Sequence, residues 1–307
     1  VFKNAKVFQL SAPFTLDPTQ LHERLSEHRA RPCGPQELMT LGWASPLGPG
    51  AEVLVHPANG CLLIAARRQE RLLPASVVNE AVAERVAEIE QAEMRDVPRR
   101  ERTRLREELM VQMLPQAFTR SRLVRAYIDP ADRWVVVDAA SDKVAEEVLS
   151  LLRRTLGSLP ARPLRPGIPV ADRLTAWVAT GGAEAGFDIE DQCELRDPAD
   201  SKAVVRCRGH DLTTPEIKTH LDAGKRVVAL AVNYQDHLSL LLDEDLALKR
   251  LRFADELIEE AIDDDAEDET ARLDAELTLL TGELRGLLSA LVTTFQVPDQ
   301  AGEPVIS

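Results

Sequence analysis

The sequence predicts an α+β protein of mixed sheet and helix units with a projecting helical hairpin. Three observations carry that reading. Short strand-like runs bounded by turn signals recur in both halves of the chain; residues 75–118 switch to helical periodicity broken by prolines; and a proline-rich stretch separates the halves. With 307 residues, 44% hydrophobic and 29% charged, the chain has enough apolar material for one large core or several smaller ones.

In chain order, "KVFQL" reads as a strand and "DPTQLHERLSEHR" as a helix, with Asp17 as N-cap and Pro18 at its first position. "AEVLVHP" and "GCLLIAARRQERLLP" are strands joined by a turn at Asn59 and Gly60. From Ala75 the apolar residues Val78, Val82, Val86 and Ile89 recur at helical spacing to about Arg95. Pro98 interrupts the pattern, and a second helix carries Leu105, Leu109 and Met113 before Pro115. Together these form the hairpin. "RAYIDPADRWVVVDAAS" is a strand pair turning at Asp129 to Asp132, and "SDKVAEEVLSLLRRTLG" a helix stopped by Gly157.

The segment "LPARPLRPGIP" places prolines at 160, 163, 166 and 169, a period of three that favours an extended polyproline path and marks a linker. Beyond it, "KAVVRCR" is a strand and "TTPEIKTHLDAG" a helix capped by Thr214 and ended by Gly224. "KRVVALAVNY", "HLSLLLDE" and "LALKRLRF" are further strands. In the terminal stretch, Leu277, Leu280, Leu284, Leu287, Leu288 and Leu291 mark an amphipathic helix that docks on the core. The expected organisation is a central α+β domain from 1–74 and 119–158, the hairpin at 75–118, the linker at 159–169, and a second α+β domain at 170–307. That last domain holds the acidic segment 255–269 and the terminal helix.

Net charge is −14, but its distribution is uneven. Residues 255–283 carry −12 of it, whereas residues 95–125 carry nine arginines against four carboxylates, a local +5. Within this basic stretch Arg99, Arg102 and Arg106 share one side of the second helix, and Arg100 and Arg104 another. Glu101 and Glu108 lie within helical reach of Arg104, while the other arginines lack a carboxylate partner three or four residues away along the helix that opens at Pro98. Unpaired arginines at this density point to phosphate contact. The candidate DNA-binding residues are Arg95, Arg99, Arg100, Arg102, Arg104, Arg106, Arg120 and Arg122. Only twelve aromatic residues occur in the chain, too few for a single-strand stacking platform, so duplex backbone contact fits better. The rival reading is a protein-interaction hairpin that binds an acidic surface, with residues 255–269 of this chain as one such surface.

Catalytic patterns are absent from the sequence: it contains no GxGxxG, P-loop, GxSxG or HExxH. The six histidines are scattered, and "AIDDDAEDET" lacks the order of a calcium loop, so no metal site and no cofactor is expected. Cys33, Cys61, Cys193 and Cys207 form no CxxC pair and read as reduced thiols. No apolar run approaches the roughly 18 residues of a membrane span, and the N-terminal order is not that of a signal peptide. A cytoplasmic protein without a membrane partner is expected.

Several segments, in register along nearly the whole chain, resemble the bacterial recombination-associated protein RdgC family. They are "FKNAKVFQL", "GWASP", "LLPASVVNE", "LPQAF", "WVVVDAAS", "CELRDP", the long block from Ala203 to Phe253, and "DAELTLLTGELRGLL". The resemblance implies a nucleoid-associated protein without enzymatic activity. Such a protein binds duplex and single-stranded DNA without sequence preference and limits RecA-promoted recombination, with direct RecA contact left open. It further implies a homodimer closed into a ring around DNA by two contacts, one at Phe118 beside the hairpin and one at Lys225 and Arg226. On sequence alone Phe118 fits a core and an interface equally well. The resemblance favours the interface.

Overall fold

The computed structural model describes residues 2–261 and 269–299. Its strands are β1 (Asn4–Leu10), β2 (Met39–Ala44), β3 (Val55–Ala58), β4 (Cys61–Arg71), β5 (Thr119–Asp129), β6 (Trp134–Val137), β7 (Ala161–Pro163), β8 (Phe187–Arg196), β9 (Val204–Arg208), β10 (Arg226–Tyr234), β11 (Leu238–Asp243) and β12 (Leu248–Phe253). Its helices are α1 (Pro18–Ser26), α2 (Ala75–Glu93), α3 (Arg99–Met113), α4 (Asp142–Leu156), α5 (Val170–Thr180), α6 (Pro215–Asp222), α7 (Asp255–Ala261) and α8 (Glu269–Thr294). The fold is α+β, built on one antiparallel sheet in the order β2-β4-β5-β6-β1-β12-β11-β10-β8-β9, with β3 on β4 and β7 on β1.

The continuous apolar runs of the first half have a direct cause: its sheet is buried on both faces. Alternate residues of one strand therefore enter different cores. In β4, Cys61 and Leu63 join one core, while Leu62, Ile64 and Ala66 join the other; in β6, Trp134 and Val136 divide from Val135 and Val137 in the same way. The second of these cores lies under α1 and α4, whose Leu21, Leu25, Val148, Leu149 and Leu152 fill it. The first is shared by both halves of the chain. It takes Leu174, Trp177 and Val178 from α5, Leu230 and Val232 from β10, and all six leucines expected of the terminal helix, which docks as α8.

Several segments have shapes that the sequence reading does not anticipate. β2, α5 and β8 fall in stretches that read as featureless, and β5 begins at Thr119, ahead of its apolar run. The polar start of β5 pairs with the polar end of β4, Ser121 opposite Gln69 and Arg122 opposite Arg68, so the ladder continues past the core. The proline-rich segment is not a free spacer throughout. Ala161–Pro163 hydrogen-bond to β1 as β7, and Leu159, Ala161 and Leu164 are buried.

α8 is held by polar contacts to the first half as well as by its leucines. The Arg285 guanidinium donates to Asp129 Oδ2 at 2.7 Å and to the Asn59 carbonyl at 3.1 Å. Asn59 Nδ2 donates to Thr281 Oγ1 at 2.9 Å, and His56 Nε2 lies 2.6 Å from Asp274 Oδ1. Asp129 is only 1% exposed, and its other oxygen accepts from the amides of Ala131 and Asp132. The expected result of Arg285→Ala is a loss of about 3 kcal/mol, because it strands a buried carboxylate. Asp132→Ala, at an exposed partner of the same arginine, should cost no more than about 0.5 kcal/mol. Denaturant unfolding of the two variants measures the difference.

Candidate nucleic-acid interface

α2 and α3 run in opposite directions against each other, joined through Met94, whose left-handed backbone (φ 52°) ends α2, and Pro98, which caps α3. Only Val78, Val86 and Val97 are buried here, and no residue of α3 is. A two-helix pair has no third layer, so Leu105, Leu109 and Met113 are only half covered. That leaves the arginines of α3 around an open helix surface.

The structure separates these arginines into two groups. Arg95 forms ion pairs with Glu93 at 2.6 Å and Glu101 at 2.7 Å, and the hydrogen bond from Arg95 holds the Glu101 carboxyl below its ordinary pKa. Arg102 donates to Glu90 of α2 at 3.2 Å and to the Val97 carbonyl; Arg104 donates to Glu108 at 2.9 Å; Arg106 donates to Asn79 Oδ1. Arg95 and Arg102 thus have carboxylate partners after all. Glu90 lies on the neighbouring α2, Glu93 two residues before Arg95 and Glu101 six residues after it, all outside the helical spacing on which the sequence reading relied. Arg99 and Arg100 are exposed and have no ion pair among the described residues.

Arg120 and Arg122 stand elsewhere, on the polar extension of β5. They share a sheet face with Arg68 and Glu70 of β4, because Arg122 pairs with Arg68 and Arg120 with Glu70. Arg120 ion-pairs with Glu70, whose carboxyl is held low by that hydrogen bond and by the charges of Arg68, Arg120 and Lys143. Arg68 is tied to Glu147 of α4 at 3.1 Å. Arg122 is exposed and has no acidic partner among the described residues.

Beside this face, α4 and β2 border a cleft of about 1010 Å³, lined by Arg29, Arg31, Lys143 and Arg154 and also by Glu27, Glu37, Glu146 and Glu147. The cleft is electrically balanced. Three of its carboxylates are already engaged: Glu37 by Arg31, Glu146 by Arg153 and Glu147 by Arg68. The bidentate pair with Arg31, together with the Gly34 amide, takes the Glu37 carboxyl down to about 2. Among the described residues, no group of three or more His, Cys, Asp or Glu side chains is arranged to hold a metal ion, and no helix is long and apolar enough to cross a membrane.

Phe118 is 84% exposed, which removes the core alternative for it. Its carbonyl accepts from the Leu72 amide at 2.7 Å where β4 and β5 end, and Leu72 and Leu38 are exposed nearby; the Leu38 carbonyl bonds the Arg71 amide. Lys225 and Arg226 lie far along the sheet. Lys225 Nζ is 3.9 Å from Asp197, and Arg226, which opens β10, is 3.7 Å from Asp172. The eight arginines and three interface candidates therefore occupy three separate places: the helix pair, the β4–β5 end with Phe118, and the start of β10.

The residue that sequence reasoning missed is Arg71. Its guanidinium donates to the carbonyls of Gly34, Leu114, Pro115 and Ala117, all between 3.1 and 3.2 Å. Arg71 thereby fixes the turn at the foot of α3 to β4. Its only signal in the sequence is a charged residue where the β4 run gives way to the helical segment.

A fold of this kind, one antiparallel sheet carrying an arginine-coated helix pair and a balanced cleft, presents its basic side chains on open surfaces and not in an enclosed pocket. The chain belongs to the RdgC family: a family model described as "Putative exonuclease, RdgC" matches residues 1–297. Proteins named "Recombination-associated protein RdgC" are similar over almost their full length. The one from Tolumonas auensis is 43% identical over 95% of this chain and 96% of its own, and the one from Pseudomonas aeruginosa 45% over 94% and 95%. That from Aeromonas hydrophila is 40% identical over 98% and 99%.

Arg71→Ala leaves several carbonyls at the foot of α3 short of a donor, at about 1–3 kcal/mol. The expected outcome is amide exchange at least about tenfold faster across residues 99–117, with the apolar cores of β4, β5 and β6 still protected, as read by hydrogen-exchange mass spectrometry. Uniform loss of protection would show that Arg71 supports the whole sheet.

Proposed function

We propose that the chain is a cytoplasmic, nucleoid-associated DNA-binding protein. It contacts duplex phosphates without sequence preference, accepts single strands as well, and limits RecA-promoted recombination by occupying DNA. The observation that carries the reading is the set of exposed arginines left without acidic partners, Arg99 and Arg100 on α3 and Arg122 on β5, in a family whose relatives are named for recombination. The paired arginines Arg95, Arg102, Arg104 and Arg120 stand beside them and add charge at the margin. Phosphate contact carries no base information, so arginine-dominated binding is indifferent to sequence.

In this reading the helix pair projects as a hairpin and the protein acts as a ring-shaped homodimer closed by two contacts. The exposed apolar patch of Phe118, Leu72 and Leu38 supports the first contact, since such residues anchor interfaces. Lys225 and Arg226 form the second, where Arg226 is half exposed beside a long ion pair and is the cation open to a partner, while the Lys225 side chain is largely covered. The function is binding and not catalysis. The engagement of Glu37, Glu146 and Glu147 by arginines supports this, because a hydrolytic site needs carboxylates that converge. Release of nucleotides from DNA in the presence of magnesium or manganese would favour the enzyme that the family description suggests.

Titration of unrelated duplexes at about 50–200 mM salt tests the reading: affinities should match across sequences and fall steeply with salt. Arg99→Glu, Arg100→Glu and Arg122→Glu combined should weaken binding roughly 100-fold or more and flatten the salt slope by about 2 to 3. Neutralising the paired Arg95 and Arg104 to Gln should change binding by less than about fivefold. Equal effects of the two sets would mean that the unpaired arginines are a solvated face.

Phe118→Ser should shift the sedimentation profile toward the monomer and weaken DNA retention, while the unfolding midpoint of the monomer moves by about 0.5 kcal/mol or less, as an exposed side chain requires. A variant that still sediments as the parent chain does would remove Phe118 from the interface.

A further inference from the structure

Cys193 of β8 and Cys207 of β9 are far enough apart in sequence to look unrelated, yet the strand register sets them directly opposite each other. The phase of the ladder follows from the Asp197 amide, which donates to the Ala203 carbonyl at 3.1 Å and marks those two as a hydrogen-bonded pair. The register has no shift between there and the cysteines, so two further steps of two residues make Cys193 and Cys207 a hydrogen-bonded pair as well. Opposed residues of that type have Cα atoms about 5.5 Å apart with side chains on one face, within the roughly 4.4–6.8 Å that a disulfide spans. Their Cβ atoms, however, stand toward the wide end of about 4.5–5.5 Å, so closure to the roughly 3.5–4.5 Å of a disulfide draws β9 toward β8.

We propose that Cys193 and Cys207 form a dithiol that closes reversibly into an intramolecular disulfide, a modification site that staples the terminal strand β9 to β8. The surroundings assign the two sulfurs different tasks. Cys193 is 1% exposed inside the larger core, whereas Cys207 is half-buried on the strand that ends the sheet among the described residues. Burial first, and the neighbouring Cys207 second, push the Cys193 thiol up to about 12, so Cys207 is the sulfur that meets an oxidant. The remaining cysteines are placed otherwise. Cys33 Sγ donates to the Gln69 carbonyl at 3.1 Å and Cys61 Sγ accepts from Arg285, neither with a cysteine opposite.

The oxidant class is a low-molecular-weight disulfide. Cys207 gives up its proton, its sulfur bonds to one sulfur of the small disulfide, and one small thiolate leaves. The Cys193 thiol then gives up its proton and attacks the Cys207 sulfur, and the second small thiolate leaves. The chain loses two protons and two electrons, and the small disulfide is reduced to two thiols. A cross-strand bond made and broken in this way is typical of the transient disulfides of reducing compartments. Its place in the fold gives it a consequence. Val204 of β9 stands in one row with Arg196 of β8 and Arg226 of β10, so the staple stiffens the strands that carry the contact at Lys225 and Arg226, a link that rests on the function proposed above.

The test exposes the native chain to graded ratios of oxidised to reduced glutathione, alkylates the free thiols, and reads intact mass and proteolytic peptides. The chain should lose two of its four thiols, yield a peptide joining Cys193 to Cys207, and recover both thiols when reduced glutathione is restored. Cys193→Ser should stop at one glutathione adduct on Cys207, and Cys207→Ser should keep its remaining thiols free. Amides of β9 should exchange about tenfold more slowly in the oxidised wild-type chain. Four free thiols at every ratio, a wild-type chain that stops at the adduct, or a link formed only after denaturation would each overturn the proposal. These readouts need neither DNA nor a dimer, so they stand apart from any failure of DNA binding.

Discussion

The structure depends on β1. Through seven residues it receives β6 along one edge and, along the other, β12 at Asn4 and Ala5 and then β7 from Phe8 to Leu10. Among the described residues no other strand joins the two halves of the sheet. Its side chains divide in the same way, Ala5 and Val7 into one core and Phe8 and Leu10 into the other. The Leu251 amide bonds to the Lys3 carbonyl and the Arg250 amide to Asn4 Oδ1, so the junction is hydrogen-bonded beyond its two formal pairs. A short antiparallel contact of this kind gains little by itself, which is why α8 matters. Its leucines pack under the junction, and Arg285 reaches Asp129 on the far side of it.

Much of this could be read from the chain. The helices that cover the core show full amphipathic stripes, and α4 and α8 lie where their leucines place them. Strands with apolar runs, such as β4, β10 and β11, were legible for the same reason. β8 was not, because "FDIEDQCELR" alternates polar residues with only Phe187, Cys193 and Leu195 buried. α5 was hidden by its proline-rich approach, and β2 by its length of six residues and a glycine. The arginine cluster was visible as composition, but its division was not. Which arginine is spent on a carboxylate depends on α2 lying beside α3, and a partner twelve positions away, as Glu90 is from Arg102, has no local signature.

Charge in this protein is therefore allocated in three ways. Some arginines hold the fold: Arg285 at the α8 junction, Arg71 at the foot of α3, and Arg125, which donates to the Pro46 carbonyl. Others neutralise neighbouring carboxylates, as Arg95, Arg102, Arg104 and Arg120 do. A third set, Arg99, Arg100 and Arg122, does neither and is left for solvent or a ligand. Counting basic residues overstates the third set, since a guanidinium already bonded in the free protein must exchange partners before it can meet a phosphate.

The two ends of the sheet are not alike. At β2 the outer edge is taken: the Trp43 amide bonds to the His28 carbonyl and the Ala30 amide to the Trp43 carbonyl. The backbone there is so close that a side chain on Gly42 would come within 2.6 Å of Ala30. At β9 the sheet ends without another strand among the described residues. Of the two ends of the strand path, β9 is thus the one left for strand addition among the described residues, with β3 and β7 lying off that path. Two chains that meet through β9 use up both termini, so the capped edge at β2 works as a chain stopper: growth by this route ends at a pair and never propagates into a fibre.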